Sequence, residues 1–345
     1  MNSESHTRNR YIDISKGIGM ILVILGHCVW FGGKVHNWIF AFHMPLFFIL
    51  AGFFLKRENY IFYFKKKIRG LIIPYIVFSI IGVLVSLIIP EWRKWLNVKS
   101  VLKDIYFANP NVSNVSSIWF LVCLFWCCVL IQGIFRVKEK RVQFVISLVL
   151  FMAGWGYSYI RFQIKTFENR LPLELDVMLI AQFFVYIGYM IYGRLIEFIN
   201  RIKTNNWIYI IITFLISLAI SIFNGRTNIR GLTFNNMIFY MIGSFVGSFF
   251  IILLSLELDK IKVISNCIEF FGKNSIYVLG SQAILIRLYI LFVNKFFNKS
   301  YELYFLPIVH QVICFCITCA LCCMICIFIK NMKIHFSFKK IKHGI

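Results

Sequence analysis

Ten stretches of roughly twenty mainly apolar residues dominate the sequence. They fall at about residues 12–30, 38–55, 71–89, 118–135, 142–160, 175–195, 207–223, 237–256, 276–293 and 306–329. About 20 apolar residues make a helix long enough to cross a bilayer, and in hydrocarbon only helices and closed barrels satisfy their own backbone groups. The pattern predicts an all-α polytopic membrane protein with about ten transmembrane helices. Composition agrees, since 60% of the 345 residues are hydrophobic, against about 45–50% apolar residues in soluble domains. The first run is too long for a cleavable signal and has no small-residue cleavage site. Ten of the eleven cysteines lie in apolar runs. The spacings Cys316-x-x-Cys319 and Cys323-x-x-Cys326 read as packing, because Cys behaves there as a small hydrophobe, and no metal is expected.

The net charge of +23 would suggest nucleic acid in a soluble protein. Spread over loops between membrane spans, it reads instead as the positive-inside bias, and no nucleic-acid partner is expected. An even number of helices puts both termini on one side. Lys and Arg divide 24 to 13 in favour of that side, so both termini are expected to be cytoplasmic and the loop around Asn111 external. Residues 1–9 form a polar leader, and residues 330–345 a basic cytoplasmic tail. Residues 56–70 read as a basic loop, with Pro74 in the first turn of the third helix. Residues 257–274 hold room for a short interfacial helix. With no visible boundary, repeat or soluble module, residues 1–345 read as one integral-membrane domain.

The first two runs carry Asp13, Lys16, His27 and His43. An ionisable group in a membrane helix costs roughly 2.5–3.5 kcal/mol on insertion scales and marks a functional site by default. Lys16 and His27 are eleven residues apart, about three full turns, so they share one helix face at a separation of roughly 16 Å. A cation near one end and an imidazole farther along the same stripe suit a long substrate threaded along the helix. The alternative is a snorkelling lysine and a histidine bonded inside the bundle. His43 enters five residues into the second run, from the same side as His27. Asp176, Glu174, Arg287 and His310 fall toward that side too. Glu174, Arg287 and His310 read as solvated interfacial groups.

These residues lie in motifs that resemble the integral-membrane acyltransferase-3 family, which includes bacterial sugar O-acetyltransferases of the fucose O-acetylase type. Its signature is Arg or Lys, ten residues, then His on the first helix, matched by Lys16 and His27. FHMPLFF-x-x-x-G at residues 42–52 is the second signature. IRGLIIPY (68–75), IWFLVCLF (118–125), LDVMLIAQFFVYIGY (175–189) and FGKNSIYVL (271–279) extend the likeness over most of the chain. One position departs: the family often has a His seven residues after the Ser of the last motif, where this chain has Gln282.

Acyl transfer needs a base for the acceptor hydroxyl and groups that stabilise an oxyanion. Imidazole suits the base because its reference pKa of about 6.5 lies near working pH. The resemblance implies that His27 is that base, with Asp176 in a family-like pattern and His43 beside it as further catalytic candidates. It also implies acetyl-CoA or another acyl-CoA as donor, with no permanently bound cofactor. A donor arriving from the cytosol brings anionic phosphates, for which Lys16, Lys67 and Arg69 are placed. The implied partners are the lipid bilayer and a carbohydrate acceptor: envelope polysaccharide, exopolysaccharide or lipid-linked glycan. The implied location is the bacterial cytoplasmic membrane. The alternatives are a transporter or flippase for a glycan or lipid-linked substrate, and a scaffold whose polar residues only join helices. A transporter should show helices broken by mid-span Gly or Pro, and only Pro45 clearly lies within a predicted span.

Overall fold

The computed structural model describes residues 10–30, 33–94, 96–108, 115–164, 170–201, 206–297 and 306–331. Among them, ten helices are long and apolar enough to cross a membrane. They are α1 (Arg10–Cys28), α2 (Lys34–Gly52), α3 (Tyr60–Ile88), α4 (Ser116–Ile134), α5 (Lys140–Phe162), α6 (Pro172–Arg201), α7 (Trp207–Asn224), α8 (Met237–Asp259), α9 (Ser275–Phe297) and α10 (Ile308–Asn331). Short helices Pro90–Arg93, Val98–Tyr106 and Lys262–Lys273 lie in the connections. The predicted all-α polytopic architecture is the one observed. Ten crossings return Asn331 to the face from which Arg10 starts, termed here the near face. Residues 1–9, Trp95, Asn111 and residues 332–345 lie outside the described residues.

The helices sort into an inner and an outer set. In α1 and α2 72% of the span is buried and in α4 83%, whereas α3, α5, α7 and α10 bury only 22–28%. The outer helices turn Ile80, Leu84 and Ile88 of α3, and Ile211, Leu215 and Ile222 of α7, outward, where lipid is as apolar as they are. Helix α3 is amphipathic in the inverted sense: its buried face includes Tyr75, Ser79, Gly82 and Ser86, spaced four, three and four apart along one side.

Helix α1 is the hub. It packs against α2, α8, α9, α10 and the helix Lys262–Lys273. The last contact needs two glycines, since a Cβ at Gly17 would overlap the Ile268 carbonyl and one at Gly272 the Asp13 carbonyl. Without a hydrophobic drive between helices in lipid, such small residues let backbones approach and gain dispersion energy. Arg10 fastens the same junction. It pairs with Asp259 at 3.0 Å and Glu269 at 3.3 Å, and donates to Ser265 Oγ and Asn266 Oδ1. Burial alone would push the Glu269 carboxyl up, but Lys273 and Arg10 hold it below its usual value.

Two expectations are corrected. The basic segment 56–70 is largely helical: Asn59 accepts from the Ile61 and Phe62 amides, and α3 starts at Tyr60. The apolar residues Ile61–Phe64 make this a helix end whose lysines ring it, with Lys66 paired to Glu58 at 3.1 Å. Pro74 stands in the first turn of the α-helical run Ile73–Ile88, as expected, but that run continues the helix that begins at Tyr60. A π-helical turn at Ile68–Ile72 comes just before Pro74 and absorbs the ring–carbonyl conflict that proline imposes on the preceding turn. The second helix also starts earlier than read, at Lys34, because the N-capping Gly33 adopts φ 84°. His43 is therefore nine residues in, roughly 14 Å from the helix start.

The 24-to-13 charge division gives a sidedness prediction. In intact cells an impermeant maleimide should label Lys99→Cys on the far face and spare Lys138→Cys on the near face, each compared with the parent chain. Equal labelling of the two would contradict the ten-helix topology.

Candidate active site

The far-face half of the interior gathers three histidines around one ring. On α2, His36, Phe40 and His43 are spaced four and three apart, so they share a face. Phe40 stacks on His36 at 3.9 Å, lies 4.7 Å from His43, and meets His27 of α1 edge-on at 5.7 Å. His36 Nδ1 bonds the Gly26 carbonyl at 3.1 Å. His43 Nδ1 donates to the Ile39 carbonyl at 2.9 Å, which leaves its Nε2 as the acceptor in the neutral ring. His27 differs from both: it is half-buried, and among the described residues no hydrogen bond engages either of its ring nitrogens. His36 and Arg230 lie within electrostatic reach of it, as His27 itself does of His43.

Arg230 comes from the loop between α7 and α8. Asn228 and Thr233 exchange backbone bonds of 2.7 and 3.0 Å across that loop, and the Asn228 side chain accepts from Gly231 N at 3.1 Å. So held, the guanidinium lies over Trp119 at 5.7 Å and donates to the Ser116 carbonyl and to Glu174 Oε1, each at 3.3 Å. Burial pulls its pKa below the ordinary arginine value, against the pull of Glu174. Arg170 completes the network, bonding Glu174 at 2.6 Å and chelating Asp176 at 3.0 and 3.1 Å. Glu174 is thus fully buried between two arginines, not solvated as the sequence suggested. Leu173 and Glu174 take left-handed backbone angles, φ 55° and 57°, a conformation non-glycine residues adopt at a cost of about 1–3 kcal/mol. The ion pairs hold that turn.

The other sequence candidates divide between the two faces. Asp176 is wholly buried and committed to Arg170 and to the Val177 amide at 2.9 Å, which makes it a holder of the network. Lys16 lies near the near face, 3.8 Å from the buried Asp13 carboxylate and 4.7 Å over Phe54. Lys67 stands over the Tyr63 ring at 5.1 Å, and Arg69 is exposed on the π-turn. Counted from their helix starts, Lys16 and Lys67 share a depth of roughly 9–10 Å. His310 is half-buried and bonded to Tyr289 Oη at 3.2 Å; Arg287 is half-buried in α9. Sequence reading missed His36, Arg226 and Arg230. The His36-x3-Phe40-x2-His43 spacing was available once α2 is extended back to Lys34. Nothing in the spacing of Arg226, which lies over Trp30 at 5.9 Å, or of Arg230 marks either one.

Removing the buried carboxylate takes a counter-ion from Arg230 and one of two from Arg170, so Glu174→Ala should cost about 3–5 kcal/mol. Thermal unfolding of detergent-solubilised protein should show a large fall for Glu174→Ala and a smaller one for Glu174→Gln. Unchanged melting of Glu174→Ala would show that the network does not hold the turn.

The acyltransferase-3 family model, an acyltransferase domain, matches residues 9–327. No curated protein and no solved structure matches the chain. The matched span runs from α1 into α10 and includes the histidine cluster, the arginine–carboxylate network and the near-face cations. The chain belongs to the acyltransferase-3 family and is a membrane acyltransferase.

Proposed function

We propose that the protein moves an acyl group, acetyl from acetyl-CoA, onto a hydroxyl of a cell-envelope or exported carbohydrate in the bacterial cytoplasmic membrane. The observation that carries the reading is His27. Its imidazole is half-buried, with no hydrogen bond on either nitrogen among the described residues, while His36 and His43 beside it are bonded to backbone carbonyls. Such a ring nitrogen is available to a substrate proton.

The step follows from general base chemistry. His27 takes the proton of the acceptor hydroxyl as its oxygen attacks the thioester carbonyl. The tetrahedral intermediate carries an oxyanion, for which Arg230 supplies positive potential. Collapse breaks the carbon–sulfur bond, and the departing thiolate takes the proton back from His27. His43, with Nε2 as acceptor, receives a second acceptor hydroxyl or orients His27. Asp176 acts through Arg170, as a positioning group.

The donor side rests on charge. Lys16, Lys67 and Arg69 lie at the cation-rich near face, where a CoA phosphate from the cytosol would arrive. The 3.8 Å separation of Lys16 from Asp13 is longer than a charge-assisted hydrogen bond, so a phosphate competes with that carboxylate on good terms. The acceptor side rests on the far-face aromatics and fixed polar groups, the surface a polyhydroxylated ring needs.

Steady-state kinetics separate the roles. His27→Gln keeps hydrogen-bonding capacity but holds no exchangeable base, and should lower kcat about 10²–10⁴-fold with the protein still in the membrane. Lys16→Ala should mainly raise the donor KM, Lys16→Arg should be tolerated, and His43→Ala should lose activity in part. Full activity of a well-expressed His27→Gln variant would refute the mechanism.

A further inference from the structure

Gln282 is buried to 1% exposure in α9, and neither its amide nitrogen nor its amide oxygen meets a hydrogen-bond partner among the described residues. An unpaired buried amide is costly, and more so in a membrane interior, where no bulk water competes. The neighbouring Ser281 turns to Cys322 of α10, and Gly280 meets the Phe78 ring of α3. At 100° per residue Gln282 is turned about 100° from Ser281 and about 160° from Gly280, and α9 also packs against α1.

Its depth can be read from the backbone. Gly272 touches the Asp13 carbonyl, and α9 starts three residues later, at Ser275, running in the same direction as α1. Gln282 therefore lies roughly 10 Å beyond the middle of the Asp13–Gly17 turn, and His27 roughly 18 Å beyond it. The orphaned amide stands between Lys16 and His27 in depth, roughly 8 Å short of the proposed base.

We infer that Gln282 is a binding residue for a secondary amide of the acyl donor's pantetheine arm, an inference that rests on the acyl-CoA reading above. A primary amide pairs with a secondary amide at two points: its N–H donates to the ligand carbonyl, and its carbonyl accepts the ligand N–H. The arm carries two such amides, roughly 4 and 9 Å from the sulfur when extended, by standard bond lengths. With the thioester at His27 and the phosphates at Lys16, the amide farther from the sulfur falls near Gln282.

Binding of CoA to the purified full chain in detergent, measured by calorimetry without acceptor, tests this. Gln282→Leu should weaken CoA about tenfold, the loss of one satisfied hydrogen-bonding group. Gln282→Glu keeps the volume but loses the donor, and should weaken it too. Adenosine 3′,5′-bisphosphate, which lacks the arm, should bind both variants as it binds the wild type, while Lys16→Ala weakens it. Unchanged CoA affinity in both Gln282 variants would overturn the inference and leave the acyl-CoA reading standing. So would an equal loss for adenosine 3′,5′-bisphosphate, which would mean general distortion. CoA that fails to bind the wild type overturns the acyl-CoA reading, and the inference with it.

Discussion

The fold depends on the cost of placing a polar group in hydrocarbon. Every backbone amide within a span must be paired inside its helix, and every ionisable side chain must find a partner or a task. Asp13, Glu174 and Asp176 find cations. His36 and His43 find backbone carbonyls. Among the described residues, no hydrogen bond engages the ring nitrogens of His27 or the side-chain amide of Gln282. The same rule explains why α3 is amphipathic in the inverted sense, since lipid accepts Ile and Leu more readily than the hydroxyls of Tyr75, Ser79 and Ser86.

That cost also explains the division between the two faces. Of the near-face cations, Lys16 lies 3.8 Å from Asp13 and over Phe54, and Lys67 lies over Tyr63, whereas Arg10 is clamped by carboxylates. Far-face cations are held tightly by buried carboxylates and a β-bridged loop, which suits groups that must keep one geometry through a reaction. Helix α1 joins the two regions, fixed in place by the Gly17–Gly272 contact and the Arg10 clamp.

Much of this was legible in the sequence, for a physical reason: the bilayer forces a length and a composition on each span, so ten runs gave ten helices. The Lys16–His27 register followed from helix geometry alone. Helix ends were harder. Charge hid the start of α3, because Lys65–Lys67 look like a loop until the Asn59 cap and Ile61–Phe64 are weighed. Glu174 looked like an interfacial carboxylate because one partner, Arg230, is 56 residues away and only the fold brings it to the local pair with Arg170. His36 was overlooked because the second apolar run was read from residue 38, whereas α2 starts at Lys34 behind the Gly33 cap.

The central claim is that an acyl group passes from a cytoplasmic thioester to a carbohydrate hydroxyl at His27. Its most direct test is label transfer in oriented membrane vesicles that contain the protein and envelope glycans. With acetyl-labelled acetyl-CoA supplied to the cytoplasmic face, alkali-labile O-acetyl label should accumulate in the glycan fraction with the wild type and be absent with His27→Gln. Equal label with both chains, or none with the wild type when suitable glycans are present, would contradict the account.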